Sequence, residues 1–245
     1  MADALTVVHV YPELLGTYGD RGNVLALRHR AEGRGLPCRV VSVGPDETLP
    51  RHGDVYVVGG GEDAAQLLAA RTLRDDPHAA DVLASHPTLA VCAGLQLLAH
   101  GFEDAQGRTH AGLGILDVTC SRLPERAVGE VVTDPVGLDL PTLTGYENHG
   151  GTAELRGDAK PLGTLVSGVG NGDAASEGVQ QGQVVATYLH GPVLVRNPAL
   201  ADLLLIRAAG PLPAYEDPEV EQLRAERLDE ADPRRHRTLR TLLGG

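Results

Sequence analysis

A chain of 245 residues with 42% apolar residues is long enough for one substantial domain with a proper core. Its net charge of -12 argues against a nucleic-acid partner, because phosphate binding needs a cationic face, and no apolar run approaches the ~18 residues that a membrane span requires. One Phe, six Tyr and no Trp leave the core to Leu, Val and Ala, which suits a buried parallel sheet covered by helices.

The first residues carry no basic stretch and no cleavage signal, so no secretory leader is expected. Strands are predicted at 6–10, 39–43, 55–58 and 89–91, with helices at 23–33, 62–71 and 94–98. Strands separated by helices of this length imply βαβ units and a parallel sheet, in which ligands sit beyond the carboxyl ends of the strands. After Gly101 the texture changes. Residues 112–190 are rich in Gly, Val and Thr, with strand-like pieces at 129–133 and 184–189, and read as an antiparallel edge of the same domain. A helix follows at 197–209, with Asn197 as its cap and Pro198 in its first turn. The charged stretch 216–243 reads as helical and solvated. The expectation is therefore a single α/β domain over 1–209, a mostly parallel sheet with helices on both faces and an antiparallel edge. Residues 210–245 would form a charged extension.

Cys38, Cys92 and Cys120 are odd in number and far apart, with no CxxC and no zinc-ligand spacing. This pattern predicts no metal site and a reducing cytoplasm. Only Cys92 has a reactive setting. Leu89-Ala90-Val91-Cys92-Ala93-Gly94-Leu95-Gln96 places it on a sharp strand-to-helix turn, where a nucleophile stands above the sheet and meets substrate. The small residues Ala90, Ala93 and Gly94 let backbone segments approach, the N–H groups of the new helix favour a thiolate, and Ala93 N–H is placed for an oxyanion. An isolated cysteine is more often a small buried core residue, but this context reverses the odds. Cys38 and Cys120, inside strand patterns, keep the structural reading. Gly59-Gly60-Gly61 after the third strand is by itself an ordinary βα turn, yet its amides could form the other half of an oxyanion hole. No GxxxxGK[ST] loop occurs, so no nucleotide site is expected in this chain.

The base must come from ten histidines. His190 closes the strand pattern 184–189 and is followed by the chain-breaking Gly191-Pro192, which puts it at a strand end. His149, in Gly145-Tyr146-Glu147-Asn148-His149-Gly150-Gly151, is the runner-up, in what reads as a turn-rich loop. His29, His52, His78, His86, His100 and His236 read as surface residues.

Ala90 to Gln96 together with Tyr188-Leu189-His190-Gly191 resembles the class I (triad-type) glutamine amidotransferases, in the cobyric acid synthase branch. Tyr18-Gly19-Asp20-Arg21-Gly22-Asn23, Gly59 to Asp63, Gly145 to Gly151 and the length without an attached synthetase narrow the resemblance to free-standing, GatD-like glutaminase subunits. It covers roughly residues 5–208. It implies that Cys92 is the nucleophile and His190 the general base, with Gly60 and Ala93 donating to the oxyanion. Arg126 would bind the substrate α-carboxylate, for which a guanidinium is suited by its bidentate geometry, with Arg122 a close rival. Gln96, one helical turn after Cys92, would face the substrate. Many family members carry a Glu two residues after the histidine, but here that position is Pro192. The group that orients the imidazole is not visible, and an acid on a partner is one source. The resemblance implies a MurT-like partner of Mur-ligase type that binds ATP and Mg, uses the ammonia and amidates the D-glutamate of the lipid II stem peptide. Another biosynthetic amidation with a cobyrinate-like acceptor, or a non-catalytic regulatory subunit, are the alternatives.

Overall fold

In the computed structural model, which describes residues 4–235, the chain opens with β1 (Leu5–Val10), a 3-10 turn at Thr17–Gly19 and α1 (Arg21–Glu32). Next come β2 (Cys38–Val43), β3 (Val55–Val58), α2 (Asp63–Asp75), α3 (Ala79–Ser85), β4 (Thr88–Val91) and α4 (Ala93–Leu98). The middle of the chain forms β5 (Gly101–Glu103), β6 (Thr109–Ala111), β7 (Val118–Cys120), β8 (Arg122–Pro135), β9 (Leu143–Gly151) and β10 (Glu154–Leu155). It continues with β11 (Gly163–Ser167), β12 (Ser176–Glu177), β13 (Val179–Gln181) and β14 (Val184–Thr187). Three helices close the fold: α5 (Val193–Arg196), α6 (Pro198–Ala209) and α7 (Pro218–Ala231).

Six strands form the central sheet in the order β13-β14-β4-β3-β1-β2, parallel throughout except for β13 at the edge. Side chains alternate across each strand, so two cores form. Val8, Val10, Tyr56, Val58 and Ala90 share one core with Ala69 and Leu73 of α2 and Leu97 of α4. Val7, Val55, Val57, Leu89 and Val185 share the other with Leu27 of α1 and Leu200 and Leu204 of α6. Strands buried on both faces are apolar along their length, which is why β1, β3, β4 and β14 were legible.

The single antiparallel edge expected from 112–190 is realised only by β13. The rest builds two four-stranded sheets, β10-β7-β5-β6 and β12-β11-β8-β9. β8 cannot join the central sheet because β9 and β11 take its hydrogen bonds on both sides. Residues 145–151 are likewise not a loop but the end of the regular strand β9; pairing with β8 overrides their low strand propensity. The strand expected at 184–189 stops at Thr187, where the chain leaves the ladder.

The stretch expected as a solvated helix packs in part on the body. Leu228 of α7 is buried, Arg224 donates to Thr142 O and Arg234 pairs with Asp134. His236 and the residues after it lie outside the described residues. No helix among the described residues is long and apolar enough to cross a membrane.

α1 is fastened to α6 by a forked ion pair: Arg30 Nε and Nη2 donate to Asp202 at 2.6 and 2.7 Å, and Arg34 Nη2 donates at 2.8 Å. Arg30 is buried, so losing its acceptor would leave the guanidinium with only the face of the Tyr215 ring, 5.3 Å away, to offset its charge. Asp202→Ala should cost about 3 kcal/mol in denaturant unfolding, at the lower end for a broken buried pair because Asp202 is partly exposed. A loss below ~1 kcal/mol would mean that the pair is screened like a surface one.

Candidate active site

Cys92 follows β4 directly and precedes α4, with φ +53° and ψ -105°, a conformation that L-residues rarely hold outside strained functional turns. The elbow is fixed from both sides. Cys92 N–H donates to Thr187 O at 2.8 Å, and a Cβ at Gly94 would lie 2.4 Å from Val58 O, so only glycine allows this approach. Cys92 is half-buried and faces a cleft at the carboxyl ends of β3, β4 and β14.

His190 comes to the same point from beyond β14. Its backbone is clamped to β9, with His190 N–H donating to Tyr146 O at 2.7 Å and Tyr146 N–H donating to His190 O at 3.1 Å. Its imidazole stands beside Cys92 at the Gly60 turn, and its Nδ1 lies 3.7 Å from Asp20 Oδ1. Both side chains are buried, at 1% and 0% exposure, so their charges act in a poorly screened setting. Gly60 is the wall on which the three groups converge: a Cβ there would sit 3.0 Å from His190 Cε1, 3.2 Å from Asp20 Oδ2 and 3.4 Å from Cys92 Cβ.

Asp20 is the residue that sequence reasoning missed. It lies just before α1, in the segment 18–23 that carried part of the resemblance without a role. An acid between glycines beyond the carboxyl end of β1 was the available signal. Its Oδ2 accepts from Gly60 N–H at 2.5 Å and its Oδ1 from Asn23 Nδ2 at 3.4 Å. Pro192, which stands where many relatives carry the orienting acid, packs on this turn: a Cβ at Gly22 would be 2.1 Å from Pro192 Cγ. An acid of the same chain, from the turn before α1, thus stands beside the imidazole. Burial pushes the His190 imidazole down, but Asp20 and the Cys92 sulfur outweigh it and bring the pKa up to about 9.

The other predicted residues line the same cleft. Ala93 N–H opens α4, where helix amides have no intrahelical partner. Gly60 N–H, the second oxyanion donor expected, is engaged by Asp20 here, so stabilising an oxyanion requires that bond to be exchanged. Gln96 is buried, taking a hydrogen bond from Gln66 Nε2 at 2.6 Å and donating to Tyr188 Oη at 3.3 Å. Arg126 rises from an irregularity of β8 between Arg122 and Ala127, and its Nε donates to Asn148 Oδ1 at 2.5 Å. Arg122 also lines the cleft and reaches Ala105 O, so position alone does not separate the two arginines. Glu62, Asp63, Glu103 and Asp104 stand on the same rim, giving the mouth both charges. His149, the runner-up base, lines the same cleft, but its Nδ1 bonds Gly151 O at 2.8 Å and its ring stacks on Tyr188 at 3.8 Å. Cys38 and Cys120 sit in β2 and β7, and burial pushes their thiols up to about 11 and about 12. Among the described residues no three His, Cys, Asp or Glu are grouped so as to hold a metal.

Residues 6–198 match the CobB/CobQ-like glutamine amidotransferase domain. The chain belongs to that family. It is 36% identical over 226 residues to the Streptococcus pneumoniae lipid II isoglutaminyl synthase (glutamine-hydrolyzing) subunit GatD, covering 87% of this chain and 86% of that protein. The Staphylococcus aureus subunit GatD is 35% identical over 83% of this chain and 84% of its own length. Cobyric acid synthase of Sphingopyxis alaskensis is 30% identical over 69% of this chain, which spans 34% of that longer protein. Among solved structures, a Thermotoga maritima glutamine amidotransferase superposes with a TM-score of 0.52 at 17% identity, covering 98% of this chain and 95% of its own. The glutaminase domain of Trypanosoma brucei CTPS, solved with acivicin, gives 0.54 at 12% identity over 87% of this chain and 97% of its own; both share the fold. The resemblance read from the sequence holds, and with it the α/β fold and the enzyme class, a glutamine amidotransferase.

If Asp20 holds the proton on His190, Asp20→Asn should move the imidazole titration, followed by NMR, from about 9 toward its ordinary value of 6.5. An unmoved titration would remove Asp20 from the site.

Proposed function

We propose that this chain hydrolyses L-glutamine to glutamate and ammonia through a thioester on Cys92 and passes the ammonia to a MurT-like ligase. That partner would use ATP and Mg to amidate the D-glutamate of the lipid II stem peptide, in the cytoplasm. The convergence of Cys92, His190 and Asp20 at Gly60 carries the hydrolysis. The acceptor and the partner rest on the similarity to GatD subunits over most of both chains.

The chemistry follows from the geometry. Cys92 gives its proton to His190 as its sulfur attacks the side-chain amide carbon of glutamine, and the oxyanion forms beside Ala93 N–H and the Gly60 turn. Protonated His190 gives its proton to the departing nitrogen, so ammonia leaves and the thioester remains. His190, now neutral, takes a proton from water as that water attacks the thioester, and returns it to the Cys92 sulfur as glutamate is released. Asp20, 3.7 Å away, keeps Nδ1 turned toward itself. The mixed charge at the mouth suits a zwitterionic amino acid, with the α-carboxylate at Arg126 and the α-ammonium toward the acidic rim.

Cys92→Ala should abolish ammonia release in a folded protein, and His190→Ala should cost at least ~10²-fold. Arg126→Ala should mainly raise KM, because its contact exists in ground and transition states alike. Near-normal ammonia release by Cys92→Ala would overturn the hydrolysis, and equal effects of Arg122→Ala and Arg126→Ala would withdraw the Arg126 assignment. Ammonia release measured alone and with a co-expressed Mur-ligase-type partner tests the rest. Failure to bind that partner, or amidation of a cobyrinate-like acceptor, would remove the cell-wall assignment and leave the cysteine chemistry standing.

A further inference from the structure

Where β14 ends at Thr187, the chain must leave the parallel ladder to carry His190 over Gly60. The amides of Tyr188 and Leu189 therefore lose their strand acceptors in a fully buried place, where an unpaired N–H is costly. Two side-chain oxygens replace them. Glu177 Oε1 accepts from Tyr188 N–H at 2.9 Å and from Thr187 Oγ1 at 2.7 Å. Thr187 Oγ1 in turn accepts from Leu189 N–H at 3.0 Å, and Thr187 O accepts from Cys92 N–H at 2.8 Å. One carboxyl group thus governs the exit of the strand toward His190 and, through Thr187, the backbone of Cys92.

Glu177 has 0% exposure, and its Oε2 has no hydrogen-bond partner among the described residues. It takes no part in the chemistry described above. A carboxyl group this costly to bury is retained in a two-residue strand whose next residue, Gly178, is itself pinned by Asn171 on both N–H and O. We infer that Glu177 is a positioning residue for glutamine hydrolysis, setting the Thr187–His190 turn so that the imidazole meets Cys92. This deepens the proposed glutaminase reading and rests on it.

Burial pushes the Glu177 carboxyl up to about 7, against the pull of Thr187 and Tyr188, so an uncharged amide is a fair substitute for it near neutral pH. Glu177→Gln keeps an oxygen for both donors, whereas Glu177→Ala removes it. Thr187→Val, close in shape, removes the acceptor of Leu189 N–H and the donor to Glu177 while leaving Thr187 O in place.

The test compares these three variants with the wild type by kcat and KM for ammonia release. The rate of Cys92 carboxamidomethylation by iodoacetamide, read on the Cys92 peptide by mass spectrometry, is measured alongside. Thermal unfolding of each variant is recorded to confirm a folded protein. Glu177→Ala should lower kcat by ~10- to ~10²-fold with KM little changed, as expected when reacting groups are displaced by a fraction of an ångström to an ångström. Thr187→Val should follow it in part, and Glu177→Gln should restore kcat and the Cys92 labelling rate to near wild type. Folded Glu177→Ala or Thr187→Val protein with unchanged kcat and labelling would overturn the inference, as would a Glu177→Gln loss as large as that of Glu177→Ala. If Glu177→Ala does not fold, Thr187→Val with Glu177→Gln decides the matter. A wild-type chain that releases no ammonia would defeat the glutaminase reading instead, and the labelling rates would still decide the role of Glu177.

Discussion

The buried carboxylate of Asp20 is the group on which the site depends. Taking a carboxylate out of water costs several kcal/mol unless charge and hydrogen bonds compensate it. Here Gly60 N–H, the Asn23 amide and the His190 imidazole surround it. Because these partners sit on the β3 turn, on α1 and beyond β14, one carboxylate fastens three separate segments around Cys92. Asn23 extends the tie, since its Oδ1 accepts from Leu194 N–H at 2.9 Å and links α1 to α5.

This arrangement explains the departure at Pro192. With Asp20 beside the imidazole from the turn before α1, the position two residues after His190 is free to do something else, and Pro192 uses it to press on Gly22. The proline and the glycine are a matched pair: a side chain at residue 22 would collide with the ring and push the Asp20 turn away from the imidazole. A change near the histidine and a motif some 170 residues earlier are thus one structural device. The same carboxylate also occupies Gly60 N–H, so the acid that keeps the proton on His190 competes with the future oxyanion for an amide donor. Substrate binding must rearrange that contact.

Much of this was legible in the sequence because it rests on local pattern. The apolar runs of β1, β3, β4 and β14, the small residues around Cys92 and the chain break after His190 each announce a strand end or an elbow. Asn197-Pro198 marks the start of α6 in the same way. What stayed hidden depends on pairing over distance. β9 carries Gly145, Asn148, Gly150 and Gly151 and becomes a strand only because β8 lies against it. Asp20 and Glu177 look like ordinary turn acids until the fold buries them, since burial is set by what packs over a residue and not by its neighbours in the chain. Gly60 was visible as a turn, but its hydrogen bond to Asp20 was not.

The most direct measurement is capture of the covalent intermediate. The purified chain would be mixed with L-glutamine, quenched in acid within the turnover time and analysed by intact and peptide mass spectrometry. The account predicts a glutamyl adduct on the Cys92 peptide that is absent without glutamine and absent from Cys92→Ala. Ammonia release with no adduct on Cys92, or with the adduct on Cys38 or Cys120, would contradict it.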